Sequence, residues 1–227
     1  MVTPYDWQEG IGHRAAYVES RIAAGTPVLA VSLERGLLIF TVRRQARKIY
    51  EIYDRLAYAA LGQQSDVESM RVAAIDFAHQ EGFQRSEQDV TVQRVVMALS
   101  QPLKRAFGDF NAAPFVVRSL FCEVGSEPAQ DHYYVLDYDG DFSVRQDWAF
   151  LSGTEDQAVQ IRGGMNALDR KKLTAESAIA ALKPIWAKAI DPSGEKSFDQ
   201  LTENLVLEAG MIERSSDREE RFHLLNP

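Results

Sequence analysis

Residues 47–96 change their apolar spacing once, near Gly62, and that change narrows what the chain can fold into. Ahead of it, short segments rich in Ile, Tyr, Leu and Ala read as strands. Beyond it, Val67, Met70, Ala74, Phe77 and Ala78 recur at helical spacing and share one face. Asp66, with Ser69 three residues later, forms a partial N-cap signature. Gly82 stands where a helix commonly stops. A second helix begins at Asp89 or Thr91, runs through Val92, Val95, Val96 and Leu99, and is expected to end before Pro102. Strands that feed two consecutive helices predict an α+β layered sandwich, because a doubly wound sheet would alternate strand and helix.

The rest of the chain extends that pattern. Residues 1–12 hold Pro4, Gly10 and Gly12 with little periodicity and read as an arm with weak structure of its own. Residues 13–24 form a short helix. Two apolar runs, 27–33 and 37–42, flank the turn Glu34-Arg35-Gly36 and predict a hairpin. The first is apolar almost without interruption, which implies burial on both faces, as in a sheet held between another sheet and a helix layer. Residues 114–124 are a further buried strand. Residues 132–144 read as strand, Asp139-Gly140 turn and strand. A helix over 152–168 is interrupted at Gly163-Gly164. Residues 174–190 form an amphipathic helix capped by Thr174, with Pro184 implying a kink or early end. The last strands fall at 204–212 and 221–225. With no linker or repeat, residues 13–227 read as one domain behind the arm.

Composition excludes several classes of function. At 227 residues, 45% hydrophobic and 26% charged, the chain is that of an ordinary soluble protein. No apolar run approaches the ~20 residues of a membrane span. The N-terminus lacks the basic and apolar regions of a signal peptide, and one cysteine, Cys122, forms no internal disulfide, so the cytoplasm is the expected compartment. Net charge is −8, and the one dense basic patch, Arg43, Arg44, Arg47 and Lys48, suits carboxylates better than a nucleic-acid backbone. Asp137, Asp139 and Asp141 resemble a Ca²⁺ loop but lack its closing Glu, and an Asp-Gly turn accounts for them. Neither metal nor cofactor is expected, and neither nucleic acid nor membrane as a partner.

Three features carry a family resemblance: the order KI-x-x-I-Y-D from Lys48, a strand ending at Gly62, and D-x-x-x-x-R-x-x-A from Asp66. Together with FAHQEGFQRSEQDVT, they resemble proteasome core-particle subunits of the α type, most closely those of actinobacteria. The resemblance implies the four-layer αββα sandwich of N-terminal-nucleophile hydrolases. It also implies a non-catalytic subunit that joins identical copies in a ring, caps a ring of β-type subunits, gates substrate entry and docks a hexameric AAA+ ATPase activator.

By that resemblance several residues acquire roles. Lys48 and Gly62 fall where α-type subunits receive the activator's C-terminal carboxylate, a target a lysine suits as a compact point charge. Tyr5 and Asp6 fall in the pore-gating tail, although Trp7 follows where the family usually has Arg. Catalytic β-type members free a Thr whose own α-amine serves as base. Gly25-Thr26 matches that cleavage point, and Lys48 matches the lysine that poises the hydroxyl. The required acid is missing, since Val42 stands in its place, and Pro27 is a further departure. The alternatives are a catalytic threonine peptidase using Thr26 and Lys48 after autolysis, and a stand-alone homo-oligomeric homologue. On sequence alone, Lys48 has no carboxylate partner.

Overall fold

The structure, a computed structural model, describes residues 4–170, 172–215 and 220–225. Helix α1 (Pro4–Ile22) leads into the hairpin of β1 (Val28–Leu33) and β2 (Gly36–Arg43). A second hairpin, β3 (Ile49–Tyr53) and β4 (Leu56–Gly62), feeds α2 (Gln64–Gln84) and α3 (Val92–Gly108). Strands β5 (Val117–Glu123), β6 (His132–Leu136), β7 (Phe142–Arg145) and β8 (Trp148–Leu151) follow. The chain then runs through α4 (Glu155–Ala167), α5 (Ala175–Ile190), the short α6 (Phe198–Leu201), β9 (Val206–Glu213) and β10 (Phe222–Leu225). The strands form two antiparallel sheets, β10-β9-β2-β1-β8 and β3-β4-β5-β6-β7.

Strand alternation builds the layers. In β1, Val28 and Ala30 enter the core between the sheets, while Leu29, Val31 and Leu33 pack under α4 and α5. In β4, Ala57, Ala59 and Leu61 face the other sheet, while Leu56, Tyr58 and Ala60 meet α2 and α3. All six residues of β1 are buried, as a strand sandwiched on both sides must be. The architecture is the four-layer αββα sandwich, an α+β fold. Helix α1 feeds Val18 and Ile22 into the layer between the sheets.

Several expected boundaries are corrected. Residues 4–12 are helical, not a weakly structured arm; residues 1–3 lie outside the described set. Gly10 is there to seat the Phe110 ring, since a Cβ would stand 2.7 Å from Phe110 Cε1. Helix α2 starts at Gln64, and Asp66 is not its N-cap: its carboxylate accepts the Val116 amide at 2.8 Å. Gly82 does not end α2; a side chain there would strike the Tyr53 hydroxyl. Pro102 lies inside α3, which continues because Leu103 and Phe107 extend the buried stripe of Val92, Val95, Val96 and Leu99. Gly163-Gly164 leaves α4 unbroken, and Gly164 admits Ile185 of α5, whose Cγ1 would lie 2.9 Å from a Cβ there. Pro184 sits within an α5 that reaches Ile190, held by buried Leu182 and Trp186. Strand β8, unforeseen in the sequence, pairs with β1 along Val28–Val31.

Arginines fasten these parts. Arg14 donates to the carbonyls of Ala106 and Ala112 at 3.1 and 2.8 Å and lies over the Phe107 and Phe110 rings, holding α1 to the end of α3. Arg118 of β5 bonds Glu19 of α1 at 2.7 Å, Asp137 at 3.0 Å and the Ser152 carbonyl at 3.0 Å. Asp137 thus serves an ion pair within the fold; burial raises its pKa more than Arg118 lowers it. Arg214, just past β9, grips the fully buried Asp131 through two bonds of 2.6 and 3.0 Å and also reaches the carbonyls of Leu33 and Gly125. That clamp joins the two sheets. Arg214→Met would leave a buried carboxylate unpaired, so it should lower unfolding stability by about 3–5 kcal/mol, read as a lower urea midpoint. A loss below about 1 kcal/mol would show that the pair does not carry the sheet–sheet junction.

Candidate functional site

Four chain segments converge at the opposite end of the sandwich from that clamp. The register sets Val28 of β1 against Thr41 of β2, and Thr41 against Glu208 of β9. Thr26 therefore enters beside the end of β2, with Lys48 arriving at the start of β3. Leu61 approaches Gly25, its Cδ2 3.4 Å from where a Cβ would stand. Gly62, next in β4, lies exposed at this same end with φ +142. Its backbone lies so close to the Val116 carbonyl that any side chain would clash.

Lys48 is half-buried, and its ammonium donates to the Thr26 carbonyl at 2.8 Å and to Thr26 Oγ1 at 2.5 Å. The Thr26 hydroxyl in turn donates to the Val42 carbonyl. Its proton thus points at a peptide oxygen and its lone pairs at the ammonium, so Lys48 acts here as a donor to Thr26. The Val42 side chain packs beneath α4 and α5 and offers Thr26 no acid. Thr26 is followed by Pro27, whose carbonyl accepts from Thr41 at 2.8 Å and from the Trp186 indole at 3.2 Å. Both donors are buried, which fixes the backbone on which Thr26 sits.

The expectation that Lys48 lacks a carboxylate is overturned. Glu208, with its side chain 5% exposed, projects from β9 into the same end of the sheet–sheet layer. Its Oε2 accepts the Lys48 backbone amide at 3.0 Å and lies 3.3 Å from Arg43 Nε. Its Oε1 stands 3.6 Å from Arg47 Nε. Arg47 also lies over the Tyr50 ring at 5.4 Å, and Arg44 is exposed. The basic patch foreseen in the sequence is therefore organised around one internal carboxylate. Desolvation lowers the Lys48 pKa to about 8, and Glu208 opposes that shift. A sequence signal for Glu208 did exist: in β9, Glu208, Gly210 and Ile212 face inward, and a carboxylate at such a position demands a partner.

Between Arg43 and Arg47 the chain borders an open cleft of about 860 Å³, whose lining includes Arg44, Gln45, Ala46, Gln200, Glu203 and Asn204. Tyr5 and Asp6 are not part of this cluster. They lie at the far end of α1, about 26 Å along the helix from Ile22, and Tyr5 is exposed. Among the described residues no group of His, Cys, Asp and Glu forms a metal centre, and no helix is long and apolar enough to cross a membrane.

Comparison with known proteins was informative along the whole chain. A family model described as proteasome subunit matches residues 24–199. The chain is similar to the proteasome subunit alpha of Frankia casuarinae, 25% identical over 232 residues that cover 100% of this chain and 95% of that one. It is similar to the proteasome subunit alpha of Thermobifida fusca, 29% identical over 89% of this chain and 78% of the relative. For the proteasome subunit alpha of Pseudarthrobacter chlorophenolicus the figures are 29%, 78% and 80%.

The Lys48 environment makes a prediction about stability. Folding moves this amine from its ordinary 10.5 to about 8. Between those values the unfolded chain holds a proton that the folded chain has released, so this residue's contribution to stability rises with pH. Below about pH 8 the desolvation cost is present in full. Unfolding free energies of the wild type and Lys48→Met, compared from pH 7 to 10.5, should diverge in the wild type's favour by up to about 3 kcal/mol. A flat difference would place the ammonium in ordinary solvent.

Proposed function

The chain belongs to the proteasome subunit family, and from that membership we propose that it is a non-catalytic α-type subunit. In this reading it assembles with identical copies into a ring on β-type subunits, gates entry through the start of α1, and docks an ATPase activator at Lys48. The observation that carries the reading is the cation itself. Lys48 is anchored by the Thr26 carbonyl and hydroxyl and backed by a buried carboxylate, while among the described residues no acid bonds Thr26. Such a group suits the capture of a terminal carboxylate as a charge-assisted contact. The open cleft beside Arg44 offers a tail a way in.

Docking is tested in a particle reconstituted with the β-type subunit and the activator. Lys48→Ala should abolish ATPase-dependent degradation of a folded substrate while sparing cleavage of small peptides. The lost contact amounts to about 2–5 kcal/mol of activator affinity. Arg44→Ala, on an exposed side chain, should cost far less. Equal losses at both positions would replace the docking site with a diffuse basic patch.

Gating is tested at the other end of α1. Tyr5 and Trp7 are exposed, whereas Gly10 and Arg14 are packed on the body, so removing residues 1–7 leaves in place the part of the helix that Gly10 and Arg14 hold. Peptide hydrolysis by the assembled particle should rise severalfold with its mass otherwise unchanged. An unaltered rate in an intact particle would remove the gating role.

One observation favours a second reading. The short Lys48–Thr26 contact and an amine lowered to about 8 also suit a threonine nucleophile. A threonine peptidase would cut before Thr26, and intact mass would then register a chain beginning there. The α-type reading expects Thr26→Ala to leave both chain mass and particle activity unchanged.

A further inference from the structure

Glu208 enters the docking reading only as the carboxylate behind Lys48, yet it meets Arg43, Arg47 and the Lys48 amide together. It is buried, and one carboxylate oxygen holds the Lys48 amide and lies next to Arg43, while the other faces Arg47. Its Oε1 has no hydrogen-bond partner among the described residues. Glu208 from β9 is the charged group that acts on the Lys48 ammonium, and Arg43 from the end of β2 and Arg47 from the turn between β2 and β3 lie against that same carboxylate. Thr26 adds neutral acceptors.

Without Glu208, Arg43, Arg47 and Lys48 would lose the buried carboxylate that stands among them; Glu203, beside Arg44 in the cleft, lines a different part of this end. Two consequences follow from Coulomb's law. The amine, already desolvated, would release its proton more readily because Glu208 no longer favours its charged form. Arg43 and Arg47, freed from their common anchor, would turn toward solvent and present mobile charge to any anion.

Resting on the docking reading above, we propose that Glu208 is a positioning residue of this site, one that keeps Lys48 charged and holds Arg43 and Arg47 aside so that the site reads a single terminal carboxylate. It does so without touching the partner. The carboxylate lies on the β9 side of the Lys48 backbone, and the ammonium bonds Thr26, leaving donor capacity on that ammonium for an incoming group.

The test uses the full chain in its assembled form, with wild type, Glu208→Gln and Glu208→Asp. Lys48 acylation by an amine-directed reagent, followed by peptide mass spectrometry across pH 6–10, reports the charge of the amine directly. Binding of a fluorescent peptide with a free terminal carboxylate, against the same peptide amidated, reports what the site reads. In wild type the carboxylate form should bind more tightly below pH 8, and the preference should fade above it. Glu208→Gln should move the acylation midpoint down by about one pH unit or more and shrink the preference for carboxylate over amide at pH 7.5. Glu208→Asp, with the charge kept, should return both toward wild type and so separate charge from folding. An unmoved midpoint and preference in Glu208→Gln, with wild type still discriminating, overturns the proposal and leaves docking at Lys48 intact. A wild type that does not distinguish the two peptides at any pH overturns the docking reading itself.

Discussion

A strand that is apolar on both faces can be satisfied only between two layers, and this constraint at β1 organises the rest of the molecule. Every residue from Val28 to Leu33 is buried, alternate side chains serving the sheet–sheet layer and the α4–α5 layer. A second sheet must then lie on one side and helices on the other. The second sheet needs its own outer cover, and α2 and α3 supply it through the stripe from Val67 to Ala78 and that from Val92 to Phe107. Four layers follow from one doubly apolar strand and its neighbours.

Within that frame the candidate site is a matter of electrostatics at an edge. Burial pulls the Lys48 amine toward neutrality, and Glu208 pulls it back. Neither effect alone would leave a lysine that is both charged near neutral pH and sensitive to what approaches it. Arg43 and Arg47 share that carboxylate, which also holds the Lys48 amide. The Thr26 hydroxyl, which in a catalytic relative would need a base, is occupied as acceptor to Lys48 and donor to Val42.

Much of this was legible in the sequence, for identifiable reasons. Periodicity placed the β1–β2 hairpin, α2, α3 and α5, because those elements bury one clean face or two. The resemblance around Lys48, Gly62 and Asp66 pointed to the family. Glycine and proline were the main source of error. Gly10, Gly82 and Gly164 were read as punctuation, whereas each makes room for a ring, a hydroxyl or a neighbouring helix. Such close approach is a fact about a partner distant in sequence and leaves no local trace. Pro102 and Pro184 were read as stops, but the burial of Phe107 and Trp186 outweighed the missing amide. Strand β8 has only four residues and is placed by its pairing with β1, more than a hundred positions earlier. Glu208 was overlooked because its partners lie some 160 positions earlier and only register brings them together.

Strand β9 carries one buried carboxylate cluster near its start, at Glu208, and delivers Arg214 to the buried Asp131 at its end, about 20 Å away. The apolar layer between the sheets is therefore closed by charge at both of its mouths. Breaking the ion pair at either mouth would leave a desolvated charge behind. Fraying from a strand end, the easiest motion of most sheets, is thus the costly one here. Parting the sheets from either end of β9 therefore means separating a buried ion pair, Arg43–Glu208 at one end and Arg214–Asp131 at the other.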